Sequence, residues 1–270
     1  MAEALRIERR EFKYIIGDSE VSRVRDAIRP FCSLDPYAAK VDGHSYTIES
    51  LYFDSPDLAL YHANDVELVE RFKLRVRRYP DAPKSPFFLE LKARYHDTII
   101  KSRALVGPDW ATLVKDPFVP KQRLGAGPAA ERFVTHMHLI GARPTVVVRY
   151  KREAWVSVVD DYARATFDTR ISGQLAEPDG WHFDVDPKGF RSCDDATGVR
   201  DVTSRTVLEL KFTAHAPRWM MSLVERVGLM RRAYSKYGRA IEATLIPEEI
   251  RTPRRPWVNA PPTPPRRPHE

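Results

Sequence analysis

The sequence predicts an α+β protein built on a largely antiparallel sheet, and three observations carry that expectation. Segment after segment alternates apolar and polar residues with period two, the mark of a strand with one face on a core. Helical patterns fall between these segments without the regular strand–helix alternation of a parallel sheet. No internal repeat or interior linker divides the chain.

Residues 6–16 place apolar Ile7, Phe12 and Ile15 among charges and read as a strand. Residues 19–30 read as a helix, with Ser19 as its N-cap, Val21, Val24 and Ile28 on one face and Pro30 at the stop. SYTIESLYFD (45–54) and RFKLRVRRYP (71–80, within a strand at 70–79) follow as strands. The turn-forming PDAPKSP then precedes FFLELKA (87–93) and KSRALV (101–106). Short helices are expected near 109–115 and 129–140. TVVVRYKREAWVS (145–157) and RATFDTRIS (164–172) form two strands around a DDY turn. Residues 173–203, rich in Gly, Pro and Asp, read as a long irregular connection. TVLELKFTA (206–214) returns to strand, and 217–232 reads as a helix opened by Pro217.

The 270 residues suffice for one large domain, placed at 1–250. The last twenty, 251–270, hold seven prolines and five arginines against Glu270 alone, so they read as a disordered or polyproline-like tail. That tail accounts for +4 of the net charge of +7, so the basic character of the body is a matter of placement, not of total. No run approaches the roughly 20 apolar residues of a membrane span, and the start lacks a signal-peptide apolar core, so the cytoplasm is expected. Cys32 and Cys193 stand far apart and read as reduced structural thiols.

The period-two rule gathers the charges. Arg9, Glu11 and Lys13 share a face in the first strand, and Lys73, Arg75 and Arg77 do so at 70–79. Glu90 and Lys92 follow, then Lys101 and Arg103, then Tyr150 and Arg152. Arg164, Thr166, Asp168 and Arg170 come next, and Glu209 and Lys211 complete the set. An antiparallel sheet with one wet face is the plain alternative. A wet face, however, mixes small polar residues with charges, whereas here Arg and Lys recur at successive positions. Same-face neighbours lie about 7 Å apart. Each cation pair repels by roughly 2 kcal/mol at an effective dielectric near 20, against about 0.6 kcal/mol in water. Enclosing such a face therefore requires a multivalent anion.

Closed into a barrel, these strands line a tunnel with guanidinium and ammonium groups, which match phosphate oxygens. The few carboxylates suit Mg²⁺ or Mn²⁺, with phosphates supplying the remaining ligands. The expected ligand is a metal-bound phosphate chain. GxxxxGK[ST], GxGxxG after a strand, a kinase catalytic loop and GxSxG are all absent from the sequence. His136 and His138, two apart on a helix, do not share a face.

The order EFKY, SLYFD, LRVRRY, FLELK, KSR, RYKREAW, RATFDT, LELK and SKYGR resembles the VTC domain over about residues 6–245. That family of polyphosphate polymerases belongs to the triphosphate tunnel metalloenzymes. The resemblance implies an antiparallel β-barrel forming a basic tunnel flanked by helices. It implies transfer of the ATP γ-phosphate to a growing inorganic polyphosphate chain, with Mn²⁺ or Mg²⁺ as cofactor. By position, Arg75, Arg77, Arg152, Arg164 and Lys236 match catalytic contacts. Lys13, Lys73, Lys92, Lys101, Arg103, Tyr150, Lys211 and Ser235 match the phosphate lining. Glu209 matches the metal ligand, with Glu11 and Glu90 as further candidates; for these two, neutralising nearby arginines is an equal alternative. Where the superfamily carries ExExK, this chain reads Arg9, Glu11, Lys13, which weakens a two-metal triphosphatase. A tunnel triphosphatase and a non-catalytic polyphosphate binder remain the alternatives. Nucleic acid is not expected as a partner, because aromatics do not interleave with the basic positions. Oligomeric state is left open.

Overall fold

The computed structural model describes residues 10–82, 84–96, 98–116, 127–160, 162–177, 179–193, 206–213 and 215–245. Arg9, the tail and part of the 173–203 connection lie outside them. In chain order the elements are β1 (Arg10–Ile16), α1 (Asp18–Ile28), β2 (Cys32–Leu34), β3 (Tyr46–Asp54), α2 (Ala59–Asp65), β4 (Glu70–Arg78), β5 (Phe87–Tyr95) and β6 (Thr98–Val106). There follow α3 (Trp110–Lys115), α4 (Gly127–Leu139), β7 (Arg143–Ser157), β8 (Ala163–Leu175), β9 (Arg191–Ser192), β10 (Thr206–Phe212), α5 (Arg218–Val227) and α6 (Lys236–Leu245).

All ladders are antiparallel, and the sheet runs β1-β10-β8-β7-β3-β4-β5-β6, with β2 and β9 appended to β7 and β8. Among the described residues no backbone ladder joins β1 to β6. The sheet nevertheless rolls far enough for Lys92 on β5 to reach Glu11 on β1, Nζ to Oε2 at 3.1 Å. The expected barrel is thus a rolled sheet whose seam is crossed by side chains.

The outward apolar positions form two cores. Leu74, Val76, Leu89 and Leu91 pack with Trp110 of α3 and Phe133 and Met137 of α4. Leu208, Leu210, Ala165 and Phe167 pack with α1 and α5 through Val24, Ile28, Trp219 and Leu223. A third core lies on the inner face, where Ile48, Val146, Val148 and Val207 receive Tyr237, Ala240 and Ile241 of α6. The helix therefore fills the roll beside one part of its basic lining, and the sequence reading had not placed a helix there.

Several boundaries differ from expectation for local reasons. The N-cap of α1 is Gly17, whose N–H donates to Glu20 Oε2 at 2.8 Å, so Ser19 lies within the helix. α5 ends at Val227 because Gly228 takes φ 73°, where the chain turns out of the helix; it does not run to 232. In β8 the register against β7 shifts between Arg149 and Lys151, and Arg170 takes φ 52°. This bulge inserts a residue and breaks the alternation, so exposed Arg170 does not join the Arg164–Thr166–Asp168 face. Both cysteines are buried free thiols, as expected.

Gly173 on β8 fixes how closely α6 approaches. A Cβ there would stand 2.6 Å from Ala240 Cβ and 3.0 Å from its Cα. Gly173→Ala is expected to push α6 off the sheet and cost about 1–3 kcal/mol, the usual range for overpacking, read by urea denaturation. An unchanged midpoint would show that α6 adapts freely.

Candidate phosphate-binding tunnel

Rolling the sheet turns the charged face inward onto a cavity of about 1470 Å³. Its lining holds seventeen Lys and Arg side chains against four Asp and Glu. Fifteen of the sixteen residues singled out from the sequence line it: Glu11, Lys13, Lys73, Arg75, Arg77, Lys92, Lys101, Arg103, Tyr150, Arg152, Arg164, Glu209, Lys211, Ser235 and Lys236. Glu90 does not. Inter-strand register explains the convergence: Lys73 stands opposite Lys92, Arg75 opposite Glu90, and Lys13 opposite Glu209.

Four carboxylates organise the cations. Glu90, 1% exposed, sits behind the wall, where Oε2 lies 2.6 Å from Arg75 and 3.7 Å from Arg77. Its Oε1 lies 2.8 Å from Lys101 and 2.9 Å from Arg103. Burial raises its pKa, but these four cations outweigh burial and hold it well below the usual carboxylate range. Such surroundings fit a counter-ion better than a metal ligand.

Glu209 binds Lys236 through Oε1 at 2.8 Å, and Lys211 and Arg152 through Oε2 at 2.7 and 3.2 Å. Asp168, fully buried, takes Arg152 through both oxygens at 2.6 Å and Lys236 at 2.6 Å. Burial raises both carboxyl groups, yet the adjoining cations keep both low. The same pairing drives Lys236 above its ordinary value despite its burial. Glu11 pairs with Lys92 and with Lys13, the latter at 3.4 Å. Among the described residues no group of three His, Cys, Asp or Glu converges, so any divalent cation here would take much of its coordination from a ligand.

Tyrosines complete the wall. Arg75 donates to Tyr52 Oη at 2.8 Å. Burial raises the Tyr52 phenol, but Arg75 and Arg77 outweigh this, and its pKa falls. Tyr150, 2% exposed, lies under two cations, with Arg152 Cζ 5.4 Å and Lys236 Nζ 5.0 Å from its ring centroid.

The α6 terminus delivers the last two groups. Ser235 Oγ accepts the Gly238 N–H at 3.0 Å, capping the helix, and accepts Lys73 Nζ at 2.8 Å. Lys236 follows at the first helical position. The helix stands over α2, where Tyr237 donates its hydroxyl to Asp54, whose other oxygen accepts the Leu60 N–H at 2.8 Å. Sequence reasoning missed Asp168 as the buried partner of Arg152 and Lys236, and missed Arg10, Arg71, Arg94, Arg132, Arg231 and Arg232 in the lining. Arg71 and Arg94 share the period-two parity of the rows already found and were legible. Arg231 and Arg232 were read as the end of a helix over 217–232, whereas α5 stops at Val227 and the chain beyond it turns to the cavity.

Lys73 has no acidic partner among the described residues. Burial lowers its pKa first, and Lys13, Lys92, Arg71 and Arg75 lower it further. Burial and nearby arginines also bring Lys101 down to about 7, against the pull of Glu90. A lysine lowered in the folded state binds its proton more tightly unfolded, so the ligand-free fold gains stability as pH rises from about 7 toward 10.5. A phosphate chain reverses the shift. At pH 9, where phosphates are already ionised, tripolyphosphate binding is expected to take up protons. Calorimetry in two buffers of different ionisation enthalpy reads the uptake, and Lys73→Met should reduce it. Zero uptake would contradict these lowered values.

A rolled antiparallel sheet with this lining defines a tunnel-fold protein with a strongly basic lumen. Residues 8–245 match the family model described as the VTC domain, and the chain belongs to that family. Comparison with curated protein sequences gives no match. Among solved structures, the Hippeastrum protein HpAC1, provisionally an adenylyl cyclase and described with a dominant triphosphatase activity, is 15% identical with a TM-score of 0.47; the match covers 90% of this chain and 99% of that one. A Bacillus halodurans protein provisionally named an adenylate cyclase is 10% identical with a TM-score of 0.46, covering 85% and 94%. No helix among the described residues is long and apolar enough to cross a membrane.

Proposed function

We propose that the protein is a metal-dependent polyphosphate polymerase, transferring the γ-phosphate of ATP to a growing inorganic polyphosphate chain inside the tunnel. The observation that carries this reading is the lining itself, seventeen cations to four carboxylates along the whole strand length. So strong an excess suits an extended polyanion better than a single phosphate.

Phosphoryl transfer asks for positioning and charge neutralisation more than for covalent help. Arg75, Arg77 and Arg152 are pre-aimed, each anchored on a buried carboxylate, so little reorganisation is needed as charge shifts on the transferring group. Arg164, exposed on the lining, supplies a further guanidinium. Lys13, Lys73, Lys92, Lys101, Arg103 and Lys211 hold the acceptor chain, with Ser235 donating or accepting as the chain advances. The attacking phosphate oxygen is ionised at neutral pH, so the reaction requires no protein base.

Glu11 and Glu209 flank Lys13, at 3.4 and 3.9 Å from its Nζ. Unlike Glu90, both line the cavity, so they are the carboxylates that would hold Mn²⁺ or Mg²⁺ together with substrate phosphates, exchanging the lysines they now pair with. Such an ion would supply charge neutralisation to the substrate phosphates.

The deciding experiment incubates purified protein with ATP and Mn²⁺ or Mg²⁺ and follows products. Long phosphate chains support polymerisation. Phosphate release alone makes it a tunnel triphosphatase, and binding without turnover a polyphosphate-binding module.

A further inference from the structure

The lining is not the same at its two ends. The antiparallel register runs from Arg71, Arg94 and His96 at one end of β4 and β5 to Tyr79 and Phe88 at the other. At that second end four aromatic rings gather. Tyr46 and Tyr79 line the cavity with centroids 6.1 Å apart, and Phe88 meets Tyr79 edge-on at 6.0 Å. Tyr37 stacks on Tyr79 at 6.5 Å with an interplanar angle of 7°, yet remains 71% exposed.

A large, exposed ring fixed in parallel stacking at the rim of a cationic cavity is an open platform. Beside it, Asp35 lines the cavity, its Oδ1 accepting the Tyr37 and Ala38 N–H groups and its Oδ2 the Tyr46 hydroxyl at 3.1 Å. A carboxylate here disfavours phosphate and suits a neutral ring that carries N–H donors. Beyond it, Arg77 and Arg103 begin the phosphate lining, and Arg103 reaches Tyr79 Oη at 3.4 Å.

We propose that Tyr37, with Tyr46, Tyr79 and Asp35, forms a nucleobase subsite at this mouth, so that a nucleoside triphosphate enters here with its phosphates directed toward Arg77 and Arg103. This rests on the polymerase reading for its choice of ligand, but the test does not require turnover. Equilibrium affinities for ATP and for inorganic tripolyphosphate are measured for the wild type, Tyr37→Ala and Tyr37→Phe. Base–aromatic stacking predicts that Tyr37→Ala weakens ATP about five- to tenfold, leaves tripolyphosphate within twofold, and is rescued by Tyr37→Phe. An equal loss for both ligands, or no loss for either, overturns the subsite. Failure to make chains in the turnover assay, with the ATP-selective loss intact, would overturn the polymerase reading and leave the subsite standing.

Discussion

Glu209→Gln is expected to reduce chain synthesis from ATP by about 10²–10³-fold, the cost of removing one well-placed electrostatic group from a reacting centre. Glutamine keeps the shape but surrenders the charge that Lys13, Lys211, Arg152 and Lys236 share. It also removes one of the two carboxylates that would hold the divalent ion. Metal-free tripolyphosphate should bind this variant more tightly than wild type, because the wall has lost a negative charge. Falling synthesis with rising affinity is thus the combined signature, measured by product length on gels and by calorimetry. Synthesis within threefold of wild type would sink the assignment.

The largest loss of stability is expected from Asp168→Ala. Asp168 is fully buried and is the bidentate partner of Arg152 as well as a partner of Lys236. Removing one member of a buried ion pair leaves the others uncompensated, at a cost of about 3–5 kcal/mol. For a chain of this size that lowers the melting temperature on the order of 10 °C. Tripolyphosphate at a hundred times its dissociation constant should return roughly 2.7 kcal/mol by binding only the folded state. A melting curve that overlays wild type would falsify the counter-ion role. In the wild type, depressed carboxyl groups at Glu11, Glu90, Asp168 and Glu209 stabilise the fold fully above their ordinary pKa values. That stabilisation is lost only as pH falls through the depressed values.

The sidedness of the strands was legible because period two needs no tertiary information. Lys73, Arg75 and Arg77 face the cavity while Leu74 and Val76 are fully buried in the opposite core. Counter-ion pairing was not legible, since it depends on register: no property of β4 alone says that Arg75 will stand opposite Glu90. Asp168 was placed on its face, yet its bond to Arg152 needs the β7–β8 pairing. The break at Arg170 escaped because a one-residue bulge leaves no mark in composition. α6 was missed although Tyr237, Ala240, Ile241 and Thr244 carry helical spacing; SKYG reads as the end of a helix unless Ser235 is taken as the cap of the next one. Not every cation turned inward either: Arg78 and Arg149 pair with Glu49, each at 2.6 Å, away from the cavity.

The position of Lys236 in the chain also bears on biosynthesis. It lies some 220 residues after β1, so a ribosome finishes nearly all of the wall before it makes the ammonium that Asp168 and Glu209 share. Until α6 has emerged and docked against Gly173, the nascent roll carries two acidic side chains facing each other without that bridge. The buried charge cluster is therefore completed only at the close of folding, when Lys236 joins Arg152 on the two carboxylates.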